Sequence, residues 1–173
     1  MYRYAIEDLR NWKYKKNRKP LIIEGARQVG KTWIMKEFGR QEYQNIVYIN
    51  FDSNARVAEL FSADLDTQRI LRGIEIYAGK KIDPANTLII FDEVQEVPSF
   101  EKVVDSLYIR DHVDVYITGS NAYMLSSELA TLLSGRYTEI KMLPLSFREY
   151  MAVTGMAKEE AFAAFMKTGG IPY

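Results

Sequence analysis

Apolar positions along this chain alternate between two rhythms, repeats of three to four residues and short continuous runs, and each change of rhythm marks a new element. Ile6, Leu9 and Trp12 recur at three-residue steps and predict a helix over 4–16, which Pro20 ends. Leu21-Ile22-Ile23 is a buried-strand run, and Trp33, Ile34 and Phe38 then mark a helix face. A second strand is expected from Asn45 to Phe51, followed by turn chemistry at Asp52-Ser53-Asn54. A short helix over 55–61 and a longer one over 66–79 come next, the latter with Asp66 as N-cap and Ile70, Ile74 and Tyr77 on one face. Gly79 and Asp83-Pro84 close it.

The second half repeats the alternation. Leu88-Ile89-Ile90-Phe91, four large apolar residues in a row, predict a parallel strand buried on both faces. Phe100, Val103, Val104 and Leu107 form the face of a helix opened by Pro98-Ser99, and Asp114 to Thr118 reads as a fourth strand. A helix over 125–134 stopped by Gly135 precedes a fifth strand, 136–142, of alternating character. Ser146-Phe147-Arg148-Glu149 is a capping box with Leu145 and Tyr150 at staple positions, and a last helix spans 158–167. Five strands alternating with helices predict a right-handed, mainly parallel α/β core in three layers.

Composition narrows this picture only a little. The 173 residues suit one domain, and 47% hydrophobic with 27% charged residues is ordinary for a globular protein. The formal net charge is zero, so no global field favours nucleic acid or an anionic membrane. The one basic run, Lys13, Lys15, Lys16, Arg18 and Lys19, reads as a solvated helix end, since no aromatic platform is interleaved with it; nucleic-acid binding stays undecided. The absence of cysteine excludes disulfides and thiolate metal sites. No apolar run approaches membrane-spanning length and the N-terminus lacks a signal-peptide core, so a cytoplasmic protein with no membrane partner is expected. His112, the single histidine, reads as a surface residue.

Chemistry enters between the first strand and the helix after it. Gly25-Ala26-Arg27-Gln28-Val29-Gly30-Lys31-Thr32 fits Gly-x-x-x-x-Gly-Lys-[Ser/Thr], the phosphate-binding loop. The glycines permit a tight turn whose N–H groups face a triphosphate, and the following helix adds its positive dipole end. Lys31 can reach the β- and γ-phosphates, the Thr32 hydroxyl can take a place on Mg²⁺, and Trp33 extends the binding stretch. A chance match in a chain of this size has a probability of roughly one per cent.

Asp92-Glu93 closes the most buried strand, at the edge where open α/β sheets bind ligands. Asp92 suits a Mg²⁺ carboxylate, and Glu93 is placed to orient and deprotonate an attacking water. At the next strand end, Ser120 and Asn121 are candidates to sense the γ-phosphate or hold the water. Arg136 has two readings, a phosphate-stabilising cation beside its own or a neighbouring subunit's crevice, or a surface salt-bridge partner.

Together Gly-Ala-Arg-Gln-Val-Gly-Lys-Thr, Ile-Ile-Phe-Asp-Glu-Val-Gln-Glu, Thr-Gly-Ser-Asn, Leu-Leu-Ser-Gly-Arg and Leu-Pro-Leu-Ser-Phe-Arg-Glu-Tyr resemble a family of prokaryotic AAA-like P-loop ATPases over residues 18–173. Members of that family carry the ATPase domain in front of a poorly characterised C-terminal module. The resemblance implies a five-stranded sheet ordered 5-1-4-3-2, Gly25 to Thr32 as the Walker A loop, Asp92 as the Walker B acid and Glu93 as catalytic base. It also implies Ser120 or Asn121 as sensor, Arg136 as a phosphate-sensing arginine, and adenine as the base.

The expected protein is therefore a Mg²⁺-dependent domain that binds and hydrolyses ATP as motor or switch for a C-terminal module or partner protein, with a homo-oligomer possible. Residues 1–17 are read as an N-terminal helix, 18–145 as the ATPase core and 146–173 as the start of a lid or downstream module. The closing Gly169-Gly170-Ile171-Pro172-Tyr173 is expected to lead into a further element. Two rival readings, a small-molecule or nucleoside kinase and a non-catalytic nucleotide switch, share the loop. The Asp-Glu pair favours water as acceptor over the kinase.

Overall fold

β3, Thr87–Asp92, is buried at every position, and the sheet is built outward from it. The structure, a computed structural model, describes residues 3–62, 64, 66–119, 131 and 134–171. The other strands are β1 (Leu21–Glu24), β2 (Asn45–Asn50), β4 (Asp114–Ile117) and β5 (Thr138–Lys141). They lie in the order β2-β3-β4-β1-β5 with every neighbouring pair parallel, which is the expected 5-1-4-3-2 order read from the other edge. All five carboxyl ends therefore face one side, where a ligand crevice opens.

Alternation along β3 explains the three layers. Leu88 and Ile90 join a cluster with Leu9, Trp12, Ile34 and Phe38 from α1 (Ala5–Lys13) and α2 (Lys31–Glu42). Ile89 and Phe91 point the other way, into a cluster with residues of α3 (Ala55–Ser62), α4 (Thr67–Ala78) and α5 (Phe100–Asp111). Successive strand side chains take opposite faces, so an unbroken apolar run is what a sheet covered on both sides requires.

The expected helix over 4–16 stops at Lys13, and Arg18 and Lys19 of the basic run that follows make structural contacts. Arg18 grips Asp114 at the start of β4 through two bonds of 2.7 and 2.9 Å. Lys19 donates to the Gly135 carbonyl at 2.5 Å, and its own carbonyl accepts from the Trp12 indole at 2.7 Å. Arg18 and Lys19 thus tie the run to the start of β4 and the turn before β5. The helix expected over 125–134 lies almost wholly outside the described residues.

α6 (Phe147–Thr154) and α7 (Lys158–Thr168) form a pair beyond the sheet, joined by an aromatic cluster in which Phe147, Tyr150 and Phe165 meet at centroid distances of 5.3–5.5 Å. The capping box is present: Glu149 N–H donates to Ser146 Oγ, and Glu149 Oε2 accepts from Ser146 N–H at 2.8 Å. Its second oxygen also receives the Tyr4 N–H at 2.9 Å and lies 3.5 Å from Arg3 Nε. A local helix cap thus also fastens the amino-terminal segment.

Candidate functional site

The loop from β1 into α2 is shaped by its neighbours as much as by its own residues. Gly25 has φ +153°, and a Cβ there would stand 2.3 Å from the Met142 carbonyl oxygen, so only glycine fits against the end of β5. Gln28 (φ 65°) and Gly30 (φ 92°) supply left-handed bends. Val29, expected among the binding residues, turns its side chain into the core at 1% exposure and anchors the loop from below. α4 and α6 are capped by Asp66 and Ser146, whereas α2 begins with no side-chain cap and no acid in its first turn. Its orphan N–H groups and dipole are thereby left for an external anion.

Lys31 folds back over this loop, donating to the carbonyls of Gly25 at 2.6 Å and Ala26 at 2.9 Å. Burial pulls its pKa below the ordinary lysine value; Asp92 and Glu93 oppose that and Arg27 reinforces it. Arg27 is exposed, and no hydrogen bond or ion pair holds its guanidinium among the described residues.

Asp92, 6% exposed at the end of β3, meets the loop directly: its Oδ2 accepts from Thr32 Oγ1 at 3.2 Å and from the Tyr48 hydroxyl at 2.7 Å. Burial first, and the bond to Asp92 second, push the Tyr48 pKa well above the ordinary phenol value, so it remains a donor. Glu93 takes a left-handed conformation (φ 57°) as the chain leaves β3 for a 3-10 turn at Val94–Glu96. Gln95 Nε2 donates to Glu93 Oε2 at 2.6 Å. A glutamate held at positive φ carries strain of about 1–3 kcal/mol, a common property of functional positions.

Between loop and acids lies a cavity of about 980 Å³. Arg27, Gln28, Gly30 and Lys31 line one wall, Thr32 and Trp33 the start of α2, and Asp92 with Glu93 the strand end. Thr168 and Ile171, at and beyond the end of α7, close the remaining side. The donor set fits Mg²⁺, a hard cation that takes one or two protein oxygens and leaves its other positions to phosphate and water. Thr32 Oγ1 and the Asp92 carboxylate are oxygens of that kind, already within 3.2 Å of each other.

Sequence reasoning therefore named most of the cavity wall, and the structure adds or removes particular residues. Ser120 and Asn121 lie outside the described residues. Thr118, the residue after β4, has its hydroxyl buried and unpartnered among the described residues. Arg136 is not brought to the chain's own cavity. It lies in the turn before β5, toward the amino edge of the sheet, and pairs with Asp105 at 2.9 Å. Sequence reasoning missed Tyr48, Gln95, Thr168 and Ile171. Gln95 lies two residues from Glu93 and was within reach of inspection; the others depend on tertiary contacts.

Comparison with known proteins agrees with this architecture. The profile of a family described as an AAA domain matches residues 17–151. An uncharacterized protein of Haemophilus influenzae is 33% identical over 164 residues, covering 87% of this chain and 39% of its own length. An uncharacterized protein of Methanocaldococcus jannaschii is 29% identical over 164 residues, covering 87% of this chain and 35% of its own length. This chain thus spans well under half of these relatives. Among solved structures, the Aeropyrum pernix ORC1 protein, determined in complex with DNA, superposes with TM-score 0.52 at 15% identity, over 90% of this chain and 47% of that one. PCH-2 of C. elegans superposes with TM-score 0.50 at 18% identity, over 95% and 45%. At those identities the likeness is one of fold. Among the described residues no helix is long and apolar enough to cross a membrane.

Proposed function

The chain belongs to the AAA-domain family of P-loop ATPase-like proteins, and from that premise we propose that it binds ATP with Mg²⁺ and hydrolyses it to ADP and phosphate. The observation that carries the reading is the meeting of Thr32 and Asp92 at 3.2 Å, one from the loop and one from the buried strand 60 residues later. It unites a phosphate cradle and a metal carboxylate in one cavity.

In this reading the loop amides and Lys31 bind and neutralise the β- and γ-phosphates. Thr32 and Asp92 hold the metal ion, which when bound neutralises charge developing on the phosphate oxygens. Glu93 orients a water and takes its proton, and Gln95 fixes the Glu93 carboxylate in place at 2.6 Å. Ser120 or Asn121 senses the γ-phosphate from the end of β4. Trp33 and Ile171 line the cavity and offer apolar surface to a base. Arg136 acts on the site of a neighbouring copy in a homo-oligomer. Its side chain is 63% exposed, and the ion pair to Asp105 that holds it is of the weak exposed kind. Thr168 and Ile171 connect the cavity to the end of α7, so a C-terminal module following this chain would receive the nucleotide state there.

Phosphate release measured with ATP and with GTP, in Mg²⁺ and in EDTA, tests the reading. Metal-dependent release that favours ATP is expected. Nucleotide bound without release would leave a switch in place of an ATPase, and label appearing on a small-molecule acceptor would indicate a kinase.

A further inference from the structure

Tyr48 stands at the centre of a contact chain that no motif predicts. It lies on β2, on the face shared with Ile46 that looks toward α2, opposite Val47 and Ile49. β2 pairs with β3 in a register that sets Tyr48 beside Ile90 and Asn50 beside Asp92, so the tyrosine ring reaches along the strand to the acid. Its hydroxyl donates to Asp92 Oδ2 at 2.7 Å, shorter than the 3.2 Å bond from Thr32 to the same oxygen. Asp92 Oδ1 carries no hydrogen bond among the described residues. Behind the ring, Lys36 Nζ stands 3.5 Å from its centroid. Lys36 follows Thr32 by four residues, so both project from one face of α2.

We propose that Tyr48 is the positioning residue of the metal carboxylate: it holds Asp92 by Oδ2, leaves Oδ1 for the hydrated cation, and so sets the Mg²⁺ affinity of the site, with Lys36 strengthening the bond through the ring. This rests on the ATPase reading above and names a determinant of its metal dependence. Two donors reach Oδ2; in the reading above Thr32 also holds the metal, whereas Tyr48 stands outside the cavity lining. Hydrogen bonds from outside the coordination shell orient a ligating carboxylate and tune its strength. A cation over an aromatic face draws electron density from the ring and makes its hydroxyl a better donor. The arrangement brings one hydrogen bond from α2 (Thr32) and one from β2 (Tyr48) to a single carboxylate at the end of β3, which explains why a half-buried strand position carries a tyrosine. Packing alone would be satisfied by phenylalanine.

The test is Tyr48→Phe, which keeps the ring and deletes the bond. ATP binding is measured by calorimetry on the full chain in EDTA and across a Mg²⁺ titration, alongside thermal melting. The expected result is unchanged ATP affinity in EDTA, an unchanged melting temperature, and a Mg²⁺ half-saturation raised about 10- to 100-fold, as for other groups that orient metal ligands. Turnover should recover substantially at high Mg²⁺. A wild-type Mg²⁺ dependence in Tyr48→Phe overturns the inference, and so does loss of metal-free ATP binding together with a lowered melting temperature, which marks a packing role. Lys36→Gln supplies a second reading that leaves Asp92 and its donor intact: a rise of a few-fold in half-saturation is expected, and no rise removes Lys36 from the chain of contacts. A wild-type protein whose ATP affinity ignores Mg²⁺ overturns the proposed function itself and the inference with it.

Discussion

Thr32 and Asp92, 60 residues apart in sequence, meet with 3.2 Å between hydroxyl and carboxylate oxygen. Thr32 opens α2 and Asp92 ends β3, two strands away from β1 in the sheet order. The parallel arrangement makes this meeting possible, since every strand delivers its carboxyl end to the same edge. The site is assembled by topology from two motifs that lie far apart in sequence.

Lys31→Ala should abolish or greatly weaken ATP binding without unfolding the chain, because Lys31 bonds only loop carbonyls at 2.6 and 2.9 Å. Calorimetric titration giving wild-type affinity would remove the loop from nucleotide binding.

Glu93→Gln keeps the hydrogen-bonding shape but removes the base. ATP affinity should be retained while turnover falls by about 10²- to 10⁴-fold, the usual worth of a general base. Single-turnover hydrolysis at the wild-type rate would exclude Glu93 as base.

At Gly25 an added methyl group meets the Met142 carbonyl at 2.3 Å and the backbone sits at φ +153°. Gly25→Ala should therefore destabilise the fold by about 1–3 kcal/mol, as strained backbone positions do, and should displace the loop from β5. Urea unfolding reads the first effect, and reduced ATP affinity in the folded fraction reads the second.

The Glu149 carboxyl predicts an acid-side loss of stability. Burial alone would raise its pKa, but the N–H groups of Ser146 and Tyr4, the Ser146 hydroxyl and Arg3 together hold it below the ordinary carboxylate value. A depressed folded-state pKa means the unfolded chain binds the proton more readily. The stabilisation is then full above the unfolded value near pH 4.5 and lost as pH falls through the folded one. Glu149→Gln should lower stability at pH 7 and flatten its decline below about pH 4.5. Melting curves that run parallel to wild type from pH 7 to pH 3 would contradict this.

Arg136→Ala should leave ATP affinity unchanged, because the side chain stands at the amino edge of the sheet and bonds Asp105. If it serves a neighbouring copy, turnover per chain should rise with protein concentration in the wild type and not in the variant. Concentration-independent turnover in both would confine Arg136 to the surface ion pair.

Much of this protein was readable from residue order because the relevant signals are local. Gly25 to Thr32 declares its turn through glycine and its chemistry through Lys31 and Thr32. Leu88 to Phe91 declares a strand buried on both faces, and Asp92-Glu93 stands out because charge is expensive at the end of such a run. Ser146 and Glu149 announce a helix start within four residues. The amino acid pattern by itself thus determined the α/β class, the strand count and the two halves of the candidate site.

The tertiary structure decided which distant residues meet. Arg136 could not be assigned to an edge until the strand order and direction were known, and Tyr48 looked like any half-buried strand residue until register set it against Asp92, 44 residues away. Glu149 reads as a cap in sequence, yet the fold gives it the Tyr4 amide, 145 residues distant, as well. Ile171 lines the cavity next to Gly170, whose carbonyl accepts the N–H of Leu145, 25 residues earlier, at 2.5 Å. Periodicity records whether a side chain is buried and which face it takes, a property of one element. Contact between elements depends on sheet order, register and close packing, which only the folded chain supplies.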